Sequence, residues 1–277
     1  MIIAIKPKSE LLRKHIMGFY MYKEREDFRF SYFAFPQLGS TLKIYKNAII
    51  SRSSTEIKFQ PDINLRHKPD YYTLDIYGRY KEPLICTYEG YVQGFTINFN
   101  PIGINYFFDT PYKKLAPKIS QEYSNIAWKK FSEELFKIKD FEKRTEFAEA
   151  FLEDMYNDIH QPELEKAIAI LLKNPAIHID ELAKACCTSS RNLHRKFIQF
   201  VGCSTNVYKR IIRFRQSIDF NKWQKQNLNC TDICYTNNFF DLSHLRKEFL
   251  KLTHQNPKDF FKTISAVGDH SFPYKLL

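Results

Sequence analysis

Several signatures are missing from the sequence, and each absence removes a class of function. No apolar run approaches the ~20 residues a membrane helix needs; the longest candidate, 167–172, is about a third of that. Residues 1–8 hold too short an apolar core for a signal peptide, so a cytoplasmic location with no membrane partner is expected. The six cysteines include no C-x-x-C pair: Cys186 and Cys187 are adjacent, Cys230 and Cys234 lie one helical turn apart, and Cys86 and Cys203 stand alone. That pattern fits buried thiols in a reducing compartment better than a disulfide framework or a zinc site. The eight histidines form no H-x-H or H-x-x-x-H pair. G-x-S-x-G, the P-loop and G-x-G-x-x-G are all absent, so neither a nucleophile nor a metal set can be assembled. We therefore expect no enzyme activity, no metal and no cofactor. A β-barrel enzyme with a helical nucleic-acid-binding appendage, or a DNA-modifying enzyme that borrows such a module, is the alternative to weigh.

What the sequence does hold is positive charge, unevenly spread. The net charge is +11 over 277 residues. Residues 162–277 carry 18 basic and 10 acidic side chains, so +8 lies in that segment. Asp219 is the only acid between Glu181 and Asp232. Such a stretch is either a solvated face or a surface for a polyanion, where cations gain free energy by releasing counterions from phosphates.

The chain changes character along its length. Residues 28–35, 41–50, 71–77 and 91–99 are short, aromatic-rich stretches with partial alternation, punctuated by Pro36, Gly39, Pro61, Pro69, Pro83 and Gly90. This pattern predicts a barrel or sandwich. Its aromatics, among them Tyr20, Tyr32, Tyr77 and Phe95, are either barrel core or the lining of an effector pocket. Residues 128–137 and 141–158 have helical spacing, and Pro162 sits where a helix tolerates proline in its first turn. The expected organisation is a β-rich sensor or dimerisation domain with a helical end over 1–161. An all-α domain over 162–277 follows, and the fold class is α+β.

The helical half contains a weak repeat. Ala183 and later Cys234 are small residues in short helices, each followed by a turn and a second helix capped by Ser189 or Asp241. Leu193/Phe197 and Leu245/Phe249 are i,i+4 apolar pairs placed to face a core. A small residue that lets two helices cross closely at a wide angle is what a helix-turn-helix requires.

On "IDELAKACCTSSRNLHRKF" (179–197), "GCSTNVYKRIIRFRQS" (202–217) and "TDICYTNNFFDLSHLRKEFLKLTHQNPKDFF" (231–261), the sequence resembles the AraC/XylS family of transcription regulators. The resemblance implies two helix-turn-helices joined by a linker helix, double-stranded DNA and RNA polymerase as partners, and an N-terminal domain that takes a small-molecule effector, forms a homodimer, or both. Cys187, Asn238 and His254 stand where the family usually has glycine, Lys247 where it has arginine, and Thr205 where it has proline. The positions matching outward recognition-helix residues are Ser190, Arg191, Asn192, His194 and Arg195 in the first unit, and Leu242, Ser243, Arg246 and Lys247 in the second. Arginine can bond guanine O6 and N7 together, and histidine or asparagine can bond base edges. Lys209, Arg210 and Arg213 on the linker helix are candidate phosphate contacts, with packing against neighbouring helices as the competing role for Arg213 or Arg215.

Overall fold

A computed structural model describes residues 2–22, 29–65, 69–219, 230–267 and 272–277. The first half is built from strands β1 (Ile2–Ile5), β2 (Ile16–Tyr22), β3 (Arg29–Ala34), β4 (Ser40–Lys46), β5 (Ala48–Arg52), β6 (Glu56–Pro61), β7 (Tyr72–Tyr77), β8 (Leu84–Glu89), β9 (Gln93–Phe99) and β10 (Ser120–Tyr123). Helix α1 (Glu10–His15) precedes β2, and α2 (Tyr112–Leu115) precedes β10. Phe28, at the edge of the first expected strand stretch, lies outside the described residues. Helices α3 (Ile126–Leu135) and α4 (Phe141–Asp154) close this half. The second helical stretch was expected to reach residue 158 but ends at Asp154, where the backbone leaves the helix after Met155.

Helices α5 (Pro162–Lys173), α6 (Ile179–Ala185), α7 (Ser190–Lys196), α8 (Thr205–Ile218), α9 (Cys230–Thr236), α10 (Leu242–Thr253) and α11 (Pro257–Thr263) follow. Pro162 and Pro257 take first-turn positions, where a missing N–H costs nothing. None of the described helices is long and apolar enough to cross a membrane. The chain is therefore an α+β protein, with a sheet-rich first half and a helical second half.

Two six-stranded sheets face each other. The first runs β1-β2-β9-β4-β7-β10. Alternation along its strands gives it two apolar faces. Leu42 and Ile44 of β4, Leu74 and Ile76 of β7, and Phe95, Ile97 and Phe99 of β9 pack toward the helices. Tyr45 and Tyr77 point the other way, into the space between the sheets, with Tyr32, Phe59 and Tyr88 of the second sheet. Lys43 is buried there, its Nζ 3.3 Å from the Tyr88 hydroxyl and over the rings of Phe59, Tyr77 and Tyr88. Several of the aromatics flagged in the sequence are thus core: Tyr20, Tyr32, Tyr77 and Phe95 are buried, whereas Tyr91, in the last of the four stretches, is exposed.

The second sheet alters the expected division of the chain. Its order is β11-β12-β3-β8-β6-β5, where β11 (Ser265–Val267) and β12 (Phe272–Leu276) come from the C-terminal end. β12 pairs antiparallel with β3, with Tyr274 opposite Ala34 and Leu276 opposite Tyr32. The segment after α11 therefore belongs to the sheet of the first half, not to the helical unit of 162–277. Residue-level alternation could not reveal this, because the pairing partner lies more than 200 positions away.

One apolar core runs without a break from the first sheet through α3 and α4 into α5, α6, α7 and the start of α8. The remaining helices have a smaller core of their own: Phe214, Ile218, Ile233, Cys234, Phe239, Leu245, Phe249, Leu252, Phe260 and Ile264, joined by Phe35 from the end of β3.

Candidate nucleic-acid interface

The first unit is α6, a turn and α7. His178 caps α6, and the Ser189 Oγ accepts from the Asn192 N–H at 3.1 Å to cap α7. Leu182, Ala183, Leu193 and Phe197 are buried, as the apolar pattern requires. Cys187 between the two helices has φ +53°, the left-handed region that favours glycine. Beyond Lys196 the backbone widens into a π-helical turn over Phe197–Val201 that stops at Gly202, φ +81°. A Cβ at Gly202 would lie 2.9 Å from the Tyr112 ring, so glycine there meets both a backbone and a space requirement.

The second unit repeats this design. Asn238 has φ +57° between α9 and α10, and Asp241 Oδ1 accepts from the His244 N–H at 2.6 Å. Ile233, Cys234, Leu245 and Phe249 are buried. Helix α10 ends at His254, φ +57°. All three residues standing at the glycine positions of the resembled family are left-handed.

The structure sorts the sequence-predicted side chains into three groups. Arg191, His194, Ser243, Arg246 and Lys247 are exposed, and none has a side-chain hydrogen bond or ion pair among the described residues. Leu242 is exposed beside them, and Arg195 is exposed with its Nη2 donating to Asn192 Oδ1 at 2.8 Å. Ser190 and Asn192 are turned into the unit: Ser190 Oγ donates to Asp180 Oδ1 at 2.5 Å, and Asn192 Nδ2 donates to Thr188 Oγ1 at 2.8 Å. They brace the turn and hold Arg195.

The third group is the linker helix α8. Lys209 Nζ donates to the Ile177 carbonyl at 2.7 Å, and its partial burial lowers its pKa. Arg210 Nε lies 2.5 Å from Glu248 Oε2 on α10. Arg213 lies over the Phe239 ring, 5.8 Å from its centroid, with its pKa lowered by burial. Arg215 is buried, and desolvation pushes it down to about 10. The three expected phosphate contacts thus already have internal partners and fasten α8 to both units. Arg213 and Arg215 take the packing role that competed with the phosphate role.

Sequence reasoning missed Phe240 and Tyr235. Phe240 is 91% exposed immediately before the cap of α10, and Tyr235 is 79% exposed on α9. The signal was the doublet Phe239-Phe240: two successive residues in a tight turn cannot both face one core, and Phe239 is the buried one. Glu248 was also missed; it ties α10 to α8, and without it Arg210 would be free.

The first unit is held against the first half by one arginine in particular. Arg79 donates to the carbonyls of Val201 (3.1 Å), Gly39 (2.8 Å) and Gln37, and lies over the rings of Tyr112 and Tyr208. Asn105 Nδ2 adds a bond to the Phe200 carbonyl at 3.0 Å. Among the described residues, no group of three or more His, Cys, Asp or Glu is placed to hold a metal ion.

Comparison with known proteins yields structures but no sequence relatives. No protein-family model and no curated protein matches the chain. A structure of ToxT from Vibrio cholerae is similar over 88% of this chain and 97% of its own, at 11% identity and a TM-score of 0.46. Wild-type ToxT from V. cholerae strain SCE256 with an unsaturated fatty acid bound is similar over 93% and 97%, at 11% identity and a TM-score of 0.44. ToxT from V. cholerae O395 bound to (E)-4-(8-methylnaphthalen-1-yl)but-3-enoic acid gives 87% and 97%, 12% identity and a TM-score of 0.43.

Proposed function

We propose that the chain is a sequence-specific regulator of transcription that binds double-stranded DNA through α7 and α10. Successive major grooves on one DNA face are ~34 Å apart, and one protomer would present a helix to each. The observation that carries this reading is the pairing of two equivalent helices, each with a side-chain cap and a left-handed turn before it. Each leaves unpaired arginine and neighbouring polar side chains on its outer face. In this reading Arg191, His194 and Arg195 read bases from the first unit, and Leu242, Ser243, Arg246 and Lys247 from the second. Arginine supplies bidentate contact to guanine, and Leu242 with Phe240 supplies apolar surface for thymine methyls. The sheet-rich half serves effector sensing, homodimerisation or both, and RNA polymerase is the partner that transcription control implies.

Selection of bound sites from random and genomic duplexes, using the full-length protein, tests the reading. A recurrent motif with two parts about one helical turn apart is expected. Affinity should fall with a log–log salt slope near −0.9 per phosphate contacted. Absence of duplex binding at low salt would overturn it. Light scattering on the same material tests dimerisation; a monomer at tens of micromolar removes the dimer from the proposal.

A further inference from the structure

A cleft of about 650 Å³ opens on a different part of the molecule, where the first half meets α5. One wall comes from His15, at the end of α1, and from Ile102 and Tyr106 just after β9; the facing wall is Glu165, Ile168 and Leu172 of α5. Tyr156 and Gln161, from the connection between α4 and α5, close the end. Three rings pack into one aromatic cluster, with His15 and Tyr106 buried and Tyr156 partly exposed to the cleft. His15 lies 4.0 Å from Tyr106 and 5.4 Å from Tyr156, and Tyr106 and Tyr156 stack at 5.8 Å and 10°. Burial lowers the pKa of His15 against the opposing pull of Glu165, which favours the neutral imidazole.

The polar groups around the rings are mainly acceptors. Gln161 Nε2 is pinned to the Ile159 carbonyl at 3.1 Å, which leaves its buried Oε1 without a partner among the described residues. The Glu165 carboxylate accepts from the Tyr106 hydroxyl and has acceptor capacity left. Asp158 adds a second carboxylate at the exposed mouth, against a single ammonium, Lys14. An unmet buried acceptor costs stability and gains most from a ligand donor. Aromatic faces attract cations, and the cleft has the size of an ordinary small-molecule site.

We propose that this cleft binds a small planar aromatic cation, of the amidinium or protonated arylamine class, stacked on the partly exposed Tyr156 and donating to Gln161 Oε1 and Glu165. Such a ligand would bear on DNA recognition. Two residues before Glu165, Glu163 Oε2 holds Lys196 Nζ of α7 at 2.8 Å. A ligand wedged against α5 therefore acts on the helix that carries Arg191. This coupling rests on the DNA-binding reading; the binding of the ligand does not.

The test uses the full-length protein with benzamidine as the cation and benzoate as its anionic isostere, followed by calorimetry and by NMR line positions. One benzamidine per chain is expected, with a Kd at or below about 1 mM, ordinary for so small a ligand, and with benzoate about tenfold weaker or worse. Gln161→Leu should weaken benzamidine about tenfold, and Ala169→Phe, which fills the cleft from α5, should abolish binding; thermal melts establish that both variants fold. Benzoate binding as tightly as benzamidine, no benzamidine binding at 10 mM (about tenfold above the expected Kd), or binding indifferent to both substitutions would overturn the site. Saturating benzamidine should change affinity for the selected DNA about threefold or more in the wild type and not in Gln161→Leu. Ligand binding without that change overturns the coupling alone. Ligand binding with no DNA affinity under any condition overturns the regulator reading and leaves the site standing.

Discussion

The two helix-pair units, α6 with α7 and α9 with α10, share a design and differ in what holds them. The first is continuous with the main core: Leu182, Leu193, Phe197, Tyr208 and Ile212 belong to the same apolar cluster as the first sheet. Arg79 fastens its π-helical turn from outside. The second unit has a core largely its own, which the first half enters through the fully buried Phe35, with Phe33 partly buried against it. Phe35 is fully buried, 5.0 Å from Phe260 and 6.4 Å from Phe214. The second unit's other attachments are α8, the Arg210–Glu248 pair and the strand β12 on β3. Similar local sequence has thus produced one unit that shares its stability with the whole molecule and one that can be loosened separately.

The largest effect should come from removing the Phe35 side chain. Phe35→Ala deletes a buried aromatic from the small core, a change that costs about 3–5 kcal/mol. Amide exchange should show the loss concentrated in α9, α10 and α11, with α6 and α7 retaining most of their protection. Leu193→Ala, at about 2–5 kcal/mol, should instead loosen the first unit together with the first sheet. Uniform loss of protection in both variants would break the distinction between shared and private cores. By the same reasoning a fragment of 162–277 should be less stable than that region in the whole chain. It lacks Phe35 and deprives β12 of β3, leaving it paired with β11 alone.

Next in size is base recognition. Arg191→Ala should cost about 1–3 kcal/mol on the selected site and flatten preference at one or two base pairs, because a base-edge contact carries sequence information. Arg246→Ala should do the same at a different position, one helical turn of DNA away. Lys209→Ala gives the contrast. Its ammonium is engaged by the Ile177 carbonyl, so the substitution should lower the melting temperature and leave the salt slope unchanged. A slope reduced by about one unit would mean that Lys209 meets a phosphate after all. If Arg191→Ala lowers affinity equally for all sequences, α7 is not a reading helix.

What was legible in the sequence divides along the same line. Features set within one turn of helix could be read directly: the caps Ser189 and Asp241, the small residues Ala183 and Cys234, and the buried pairs Leu193/Phe197 and Leu245/Phe249 all occupy the expected places. Charge could be counted but not assigned. A basic helix reads the same whether its cations meet phosphate or a neighbour, and the Ile177 carbonyl, Glu248 and Phe239 that engage α8 are 26–38 positions from the residues they hold. Longer separations were illegible. The insertion of Phe35 into the second core and the pairing of β12 with β3 join chain segments more than 170 positions apart. No periodicity encodes such contacts.

The smallest effect tests the turns, where the two units differ by one residue type. Cys187 and Asn238 have nearly the same backbone, φ +53° and +57°. For an ordinary L-residue this region brings Cβ too close to the following carbonyl. Asparagine tolerates the region better, because its short polar side chain can bond locally. Glycine has no Cβ and escapes the strain, but it gives the unfolded chain more freedom, which opposes the gain. The balance should favour glycine at Cys187 by about 1 kcal/mol and at Asn238 by less. Cys187 is exposed, so the substitution removes no packing that would mask the result. Thermal melts of the two single variants read the difference, and the double variant should show additive shifts because the turns lie in separate units. Equal or reversed effects would mean that the cysteine side chain relieves its own strain in a way the second turn does not share.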